Sequence, residues 1–357
     1  MANRKRASSV RSAGRSVDTA KQKTKQESRK LTHALLHFPS RLHEYITSFP
    51  SSVRYVAAVL GSLVLSAAMY SGTSSITAGD LATVCRDSQS GWEAGALIAW
   101  RAVVLGISWV LRFDGQDIAE FALLTHFPIY SLLASFYRIR PTTVLLALSI
   151  DIAALTLPFV LLQGLNSVHT LRSPQAKTVS NRIILKDPLV AVYTSAAAAA
   201  LYSVALYLSY ATWLPVHLVT FFDGIRDISS AHAGPAALPA IFAKFIFNGY
   251  AIYDLLFVSS IGCSAEDEKE AVRPAQGEYL ITSLYKRTWG RLSRKWKILI
   301  VRTSALALTT LLNTVIQLFS SIRGVTIEGS AGWGAFWAVV ACMIGALFAW
   351  IEAVPDA

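Results

Sequence analysis

An all-α bundle of membrane-crossing helices is the fold class this chain predicts, and three observations carry it. Apolar residues make up 53% of the 357 residues and charged residues only 15%, against about 25% charged in an ordinary soluble domain. The apolar residues gather into eight runs of about 18 to 25, the length a helix needs at 1.5 Å per residue to cross roughly 30 Å of hydrocarbon. Lys and Arg concentrate in alternate segments between those runs, which is the pattern of a polytopic protein with one cytosolic face.

Residues 1–30 hold ten Lys or Arg, two acids and no Leu, Ile, Phe or Trp. They cannot bury enough surface to fold, and they predict a disordered basic cytosolic tail. The tail has no apolar core of a secretory signal, and it lacks the apolar face that a mitochondrial presequence needs. Ser8, Ser12 and Ser16 follow basic residues and are candidate phosphorylation sites. Residues 31–52 form an amphipathic juxtamembrane segment, with Leu31, Leu35, Phe38, Leu42 and Ile46 near helical spacing and Pro39 interrupting them.

The eight runs, within a membrane domain at 53–352, are 53–71, 94–111, 118–137, 142–162, 189–210, 237–261, 298–319 and 333–351. The third is the weakest, because Glu120, His126 and Pro128 interrupt it. After the fifth, "WLPVHLVTFF" would extend one helix to about 50 Å, so a break at Pro215 and an interfacial or re-entrant piece are expected. Eight spans is the expected count, within a range of seven to nine. With the N-terminus in the cytosol, about 24 of the 33 Lys and Arg fall on cytosolic segments, so both termini, including the short 353–357 tail, are expected there. The net charge of +11 then marks topology, and nucleic acid is not an expected partner.

The loop 263–297 opens acidic and then turns basic. Ile281, Tyr285, Trp289, Leu292 and Trp296 recur at helical spacing, opposite Lys286, Arg287, Arg291, Arg294 and Lys295. This is the pattern of an interfacial helix that contacts anionic lipid through Lys286, Arg287, Trp289, Arg291, Arg294, Lys295 and Trp296. The last run carries Gly334, Ala338, Ala341, Gly345 and Ala349, a small-residue stripe that suits close internal packing and also admits a homo-oligomer seam.

Two stretches echo each other, "RFDGQDIAE" at Asp114 and "FFDGIRDIS" at Asp223. The predicted topology puts them on opposite faces, so they read as two separate turns. Gly takes the positive φ in each, the second Asp caps the next element, and Asp117 to Glu120 has the form of a capping box.

Ionisable groups inside spans face partners or water. Arg101, Asp151 and Lys244 fall at one depth, and Asp254 and Arg302 at another nearer the cytosol, with Asn248, Asn313 and Gln317 adding polar groups. They predict either a polar pathway with Asp151 between Arg101 and Lys244, or ion pairs that pin helices together, with Arg302 snorkelling to the interface. His126 and His217 lie near Pro128 and Pro215, where a ring nitrogen could bond a carbonyl that the proline frees. His33 and His37 are read as solvent-facing. The cysteines Cys85, Cys263 and Cys342 have no metal or disulfide spacing. The chain shows no metalloprotease, hydrolase or nucleotide motif and no acidic cluster that would hold a metal, so neither metal nor cofactor is expected.

The expectation is a multi-pass membrane protein of the endoplasmic reticulum or another endomembrane, with a mitochondrial membrane as the alternative. It acts as a non-catalytic scaffold or accessory subunit whose partners are the bilayer, anionic lipids and proteins at the cytosolic face. The alternatives are a small-solute or ion transporter that uses the intramembrane charges, and a membrane-embedded lipid-modifying enzyme.

Overall fold

The computed structural model describes residues 49–86, 91–163, 169, 181–262, 289 and 292–353. The chain divides into two units, Met1–Arg54 and Tyr55–Ala357, and only residues 49–54 of the first are described. Ser8, Ser12, Ser16, His33, His37, Cys263, Lys286, Arg287 and Arg291 lie outside the described residues, as does most of the 31–52 segment.

The elements are helical throughout: α1 (Ser51–Gly72), α2 (Ser74–Ala82), α3 (Gly91–Val110), α4 (Gly115–Phe136), α5 (Pro141–Leu162), α6 (Arg182–Lys186), α7 (Pro188–Ala211), α8 (Leu214–Phe221), α9 (Leu238–Ile252), α10 (Arg294–Ser321) and α11 (Ile327–Ala353). Past Ile252, α9 continues through a π-helical turn, Tyr253–Val258, and a last turn at Ser259–Ile261. Among the described residues eight helical spans are long and apolar enough to cross a membrane, with Pro235–Ile261 counted as one. The molecule is an all-α polytopic helix bundle, and each of the eight runs read from the sequence lies within one of these spans or overruns its end by one residue.

Local sequence sets the helix ends. Pro141 and Pro188 occupy first-turn positions, where a missing N–H costs nothing, and the Asp187 side chain accepts the Leu189 amide at 2.9 Å. As expected, α7 stops at Ala211, and a separate short helix starts at Leu214 with Pro215 in its first turn. The interfacial helix expected up to Trp296 does not run through: Ser293 is extended (φ −61°, ψ 159°) and its side chain accepts the Trp296 amide at 3.4 Å as the N-cap of α10. Arg294, Lys295 and Trp296 therefore belong to the first turn of a span, because a serine hydroxyl competes for the amide that a continuous helix would use.

Two sets of contacts identify the ends of the bundle. At one end the loops after α2, α4, α8 and α10 meet: Cys85 bridges Ile322, Phe222 bridges Val325, and the Arg226 and Asp227 amides both reach the Phe136 carbonyl. At the other end Arg302 of α10 reaches Asp117 of α4, and Ser260 bonds Glu352 at the end of α11. We call these the loop face and the terminal face. The Asp114 turn lies at the terminal face and the Asp223 turn at the loop face, so the two echoing motifs form no common site.

An aromatic cluster fills the interior where α4, α7, α9 and α11 meet. Phe127, Tyr202, Phe245 and Trp337 pack there with ring centroids 5.4 to 6.0 Å apart, Tyr202 and Phe245 stacked and the other pairs tilted or edge-on. The run with the weakest apolar signal, α4, is among the most enclosed spans. Its polar residues point inward to partners rather than outward to lipid, which lowers its apparent hydropathy without lowering its burial. Gly249 lets α9 approach α7, since a Cβ there would collide with the Ser195 carbonyl oxygen. Gly345 meets Thr303 and Gly334 meets Leu311, so these members of the small-residue stripe serve packing of α11 on α10.

Candidate functional site

Two intramembrane polar clusters stand at different depths. The first begins at the Asp114 turn. Arg112, not Gly115, takes the positive φ (55°), and Gly115 is already helical. Gly115 is required for a different reason: a Cβ there would collide with a Val160 methyl. The capping box runs from Asp114 to Asp117, three residues earlier than the sequence suggests. The Asp114 carboxylate accepts the Gln116 and Asp117 amides, each at 2.9 Å, and Asp117 accepts the Asp114 amide at 3.3 Å. At the other turn Gly224 does take positive φ (81°), and Asp227 caps the Ser229 amide at 2.8 Å.

From this box an ion-pair lattice is built. Arg302 donates to both Asp117 oxygens, at 2.5 and 3.2 Å, donates to the Leu255 carbonyl at 3.0 Å, and lies 4.7 Å from the Phe113 ring centroid. All of Asp114, Asp117, Asp254 and Arg302 are more than nine-tenths buried. His169 Nδ1 sits 2.7 Å from Asp114 Oδ2, and its Nε2 is 3.9 Å from Asp254. Gln116 donates through its side-chain amide to Asp254 and, at 3.4 Å, to Glu120 Oε1. Burial alone would lower the His169 pKa; the bond to Asp114 and the charges of Asp114, Asp117 and Asp254 outweigh it and raise the pKa above the ordinary value.

The sequence pattern puts Arg302 at the interface or beside Asp254. It is instead buried against Asp117, because the π turn carries Asp254 toward Gln116 and Glu120 while the Leu255 carbonyl faces the guanidinium. An acidic cluster therefore exists where none was expected, assembled from residues 114–120 and 254. Asp114, Asp117 and His169 bring possible ligand atoms within 4.8 Å of one another. Arg302 engages both Asp117 oxygens and already supplies the positive charge there, so the group is best described as an ion-pair lattice.

The second cluster surrounds a cavity of about 300 Å³ between α1, α3, α4, α5 and α10. Arg101 and Asp151 each lie ten residues from the loop-face end of their helix, about 15 Å deep and near mid-membrane. Asp151 accepts the Tyr130 hydroxyl at 2.6 Å and the Tyr70 hydroxyl at 3.2 Å, one on each oxygen. Arg101 donates through Nε to Ser62 at 2.8 Å, and its buried Nη2 has no hydrogen-bond partner. Asn313 accepts from Trp100 and Gln317 and donates to the Thr125 carbonyl, each at 3.0 Å.

Lys244 does not join this group. It lines a separate cavity of about 160 Å³ beside Tyr210, Ser230 and Trp333, because its face of α9 turns away from α3 and α5. Equal depth in the sequence carries no information about azimuth. Asn248 is buried in α9. His126 Nδ1 lies 2.9 Å from the Ala122 carbonyl, not from the Leu124 carbonyl that Pro128 frees. His217 Nε2 reaches the Gly329 carbonyl on α11 at 3.1 Å.

Residues 187–316, a little over a third of the chain, match the family model described as the bouquet formation protein 3 C-terminal domain. The matched stretch runs from the cap of α7 to most of α10 and includes Asp254 and Arg302. No curated protein and no solved structure matches the chain.

Proposed function

We propose that the protein is a non-catalytic scaffold or accessory subunit of an endomembrane such as the endoplasmic reticulum. One observation carries this reading: the terminal-face half of α4, α9 and α10 is closed by a buried ion pair, with Arg302 bonded to both Asp117 oxygens and to the Leu255 carbonyl. The mid-membrane cavity extends to loop-face residues Cys85, Ser321 and Ile322, and a solute path through the bundle would have to break that lattice. The likeness to a domain named for bouquet formation supports a structural part rather than a catalytic one. With both termini in the cytosol, the basic tail and the residues Lys286, Arg287, Arg291, Arg294 and Lys295 would engage anionic lipid and protein partners there.

The test compares proximity labelling by the full chain with labelling by a version in which these five basic residues are changed to Gln. The reading expects the same membrane localisation and yield but a changed set of labelled cytosolic neighbours. An unchanged set, or a purified protein that moves a solute across liposomes, would overturn it.

A further inference from the structure

The Arg101–Asp151 pair is unusual in being held apart. In a low-dielectric interior two opposite charges attract strongly and gain most by closing to a hydrogen-bonded pair. Here no ion pair forms within 4.0 Å, and each group bonds other partners: Asp151 the Tyr70 and Tyr130 hydroxyls, Arg101 the Ser62 hydroxyl. The space between them is a cavity whose size suits a small molecule, at the low end of ligand pockets. Its polar groups are not satisfied by the protein alone, since Arg101 Nη2 is buried without a partner. A carboxylate has about four lone-pair sites, so Asp151 can accept further bonds beyond the two tyrosine hydroxyls.

We propose that this cavity is a binding site for a small zwitterion of the α-amino-acid class, whose carboxylate meets Arg101, whose ammonium meets Asp151, and whose side chain lies against Leu97, Val104, Leu133 and Leu155. A zwitterion pairs both charges without adding net charge to the membrane interior. A simple anion would face Asp151, and a simple cation would face Arg101. Trp100, Tyr70 and Tyr130 add aromatic surface suited to the ammonium end. The lining of the site extends to the loop-face residues Val84, Cys85 and Ile322. Occupancy would tie α1 and α3, the two least enclosed spans, to α5, so the ligand acts as an effector of bundle geometry.

The experiment uses the full chain in nanodiscs and reads thermal unfolding and calorimetric binding with glycine, leucine and betaine, and with two leucine analogues that each keep one charge, 4-methylpentanoate and leucinamide. The proposal expects leucine to bind saturably and raise the unfolding temperature, with both single-charge analogues at least tenfold weaker than leucine. Asp151→Asn and Arg101→Met should each lose binding. Because those changes can unfold the protein, Leu97→Trp, which fills the cavity and leaves both charges in place, should fold normally and also lose binding. The proposal is overturned if leucine does not shift the unfolding temperature, if either analogue binds as well as leucine, or if Leu97→Trp binds like the wild type.

Discussion

Arg302→Met removes the cation from the terminal-face lattice while keeping a side chain of similar length. Asp117 then loses two donors and the Leu255 carbonyl loses one, all at buried positions. Breaking a buried pair from one side costs about 3 to 5 kcal/mol, chiefly because the remaining carboxylate stays buried and unpaired. At about 1.4 kcal/mol per decade this lowers the folded-to-unfolded ratio by roughly a hundred- to several-thousand-fold. The double change Arg302→Met with Asp117→Leu removes both charges, so it should recover much of the loss even though it alters more atoms. Arg302→Lys keeps the charge but not the two-pronged geometry and should fall between wild type and Arg302→Met. The assay is reversible unfolding in detergent followed by tryptophan fluorescence, with each variant also checked for monodispersity. A single variant as stable as the wild type, or a double variant as unstable as the sum of its parts, would refute the lattice as a stabilising unit.

The remaining predictions concern the periphery and the packing. The raised His169 pKa means that its pairing with Asp114 is fully present below the ordinary histidine value of about 6.5 and is lost as pH rises through the folded-state value. Wild type should therefore lose stability over that upper window while His169→Gln does not, as measured by unfolding at stepped pH. Gly249→Ala should destabilise by about 1 to 3 kcal/mol, because its Cβ meets the Ser195 backbone and the Ala199 side chain on α7 rather than a flexible side-chain tip. Arg140→Ala at the loop face breaks an exposed bond to Asp80 and should leave the unfolding midpoint unchanged, because solvent screens that pair.

The eight spans are legible in the sequence because length and apolarity act locally, and each helix reports both within its own stretch. The break at Pro215 is legible for the same reason. The lattice is not, because Asp117 and Arg302 are 185 residues apart and depth along a helix says nothing about which way a side chain faces. Lys244 shows the same limit in the opposite sense, sharing a level with Asp151 but lining another cavity. A further signal lies in Asp114 and Asp117, which read as turn and cap residues. They do cap α4, and the capping geometry also fixes their carboxylates where Arg302 and His169 can reach them. The π turn at Tyr253–Val258 has no distinct composition, so the position of Asp254 is evident only from the backbone.

The most direct test of a sealed, non-conducting bundle is flux through the purified full chain reconstituted in liposomes, read with a proton-sensitive dye and with labelled small zwitterions. The account predicts leak equal to that of protein-free liposomes, with or without ligand in the Arg101–Asp151 cavity. A flux above that background that disappears in a folded Asp151→Asn variant would contradict it and identify the protein as a transporter.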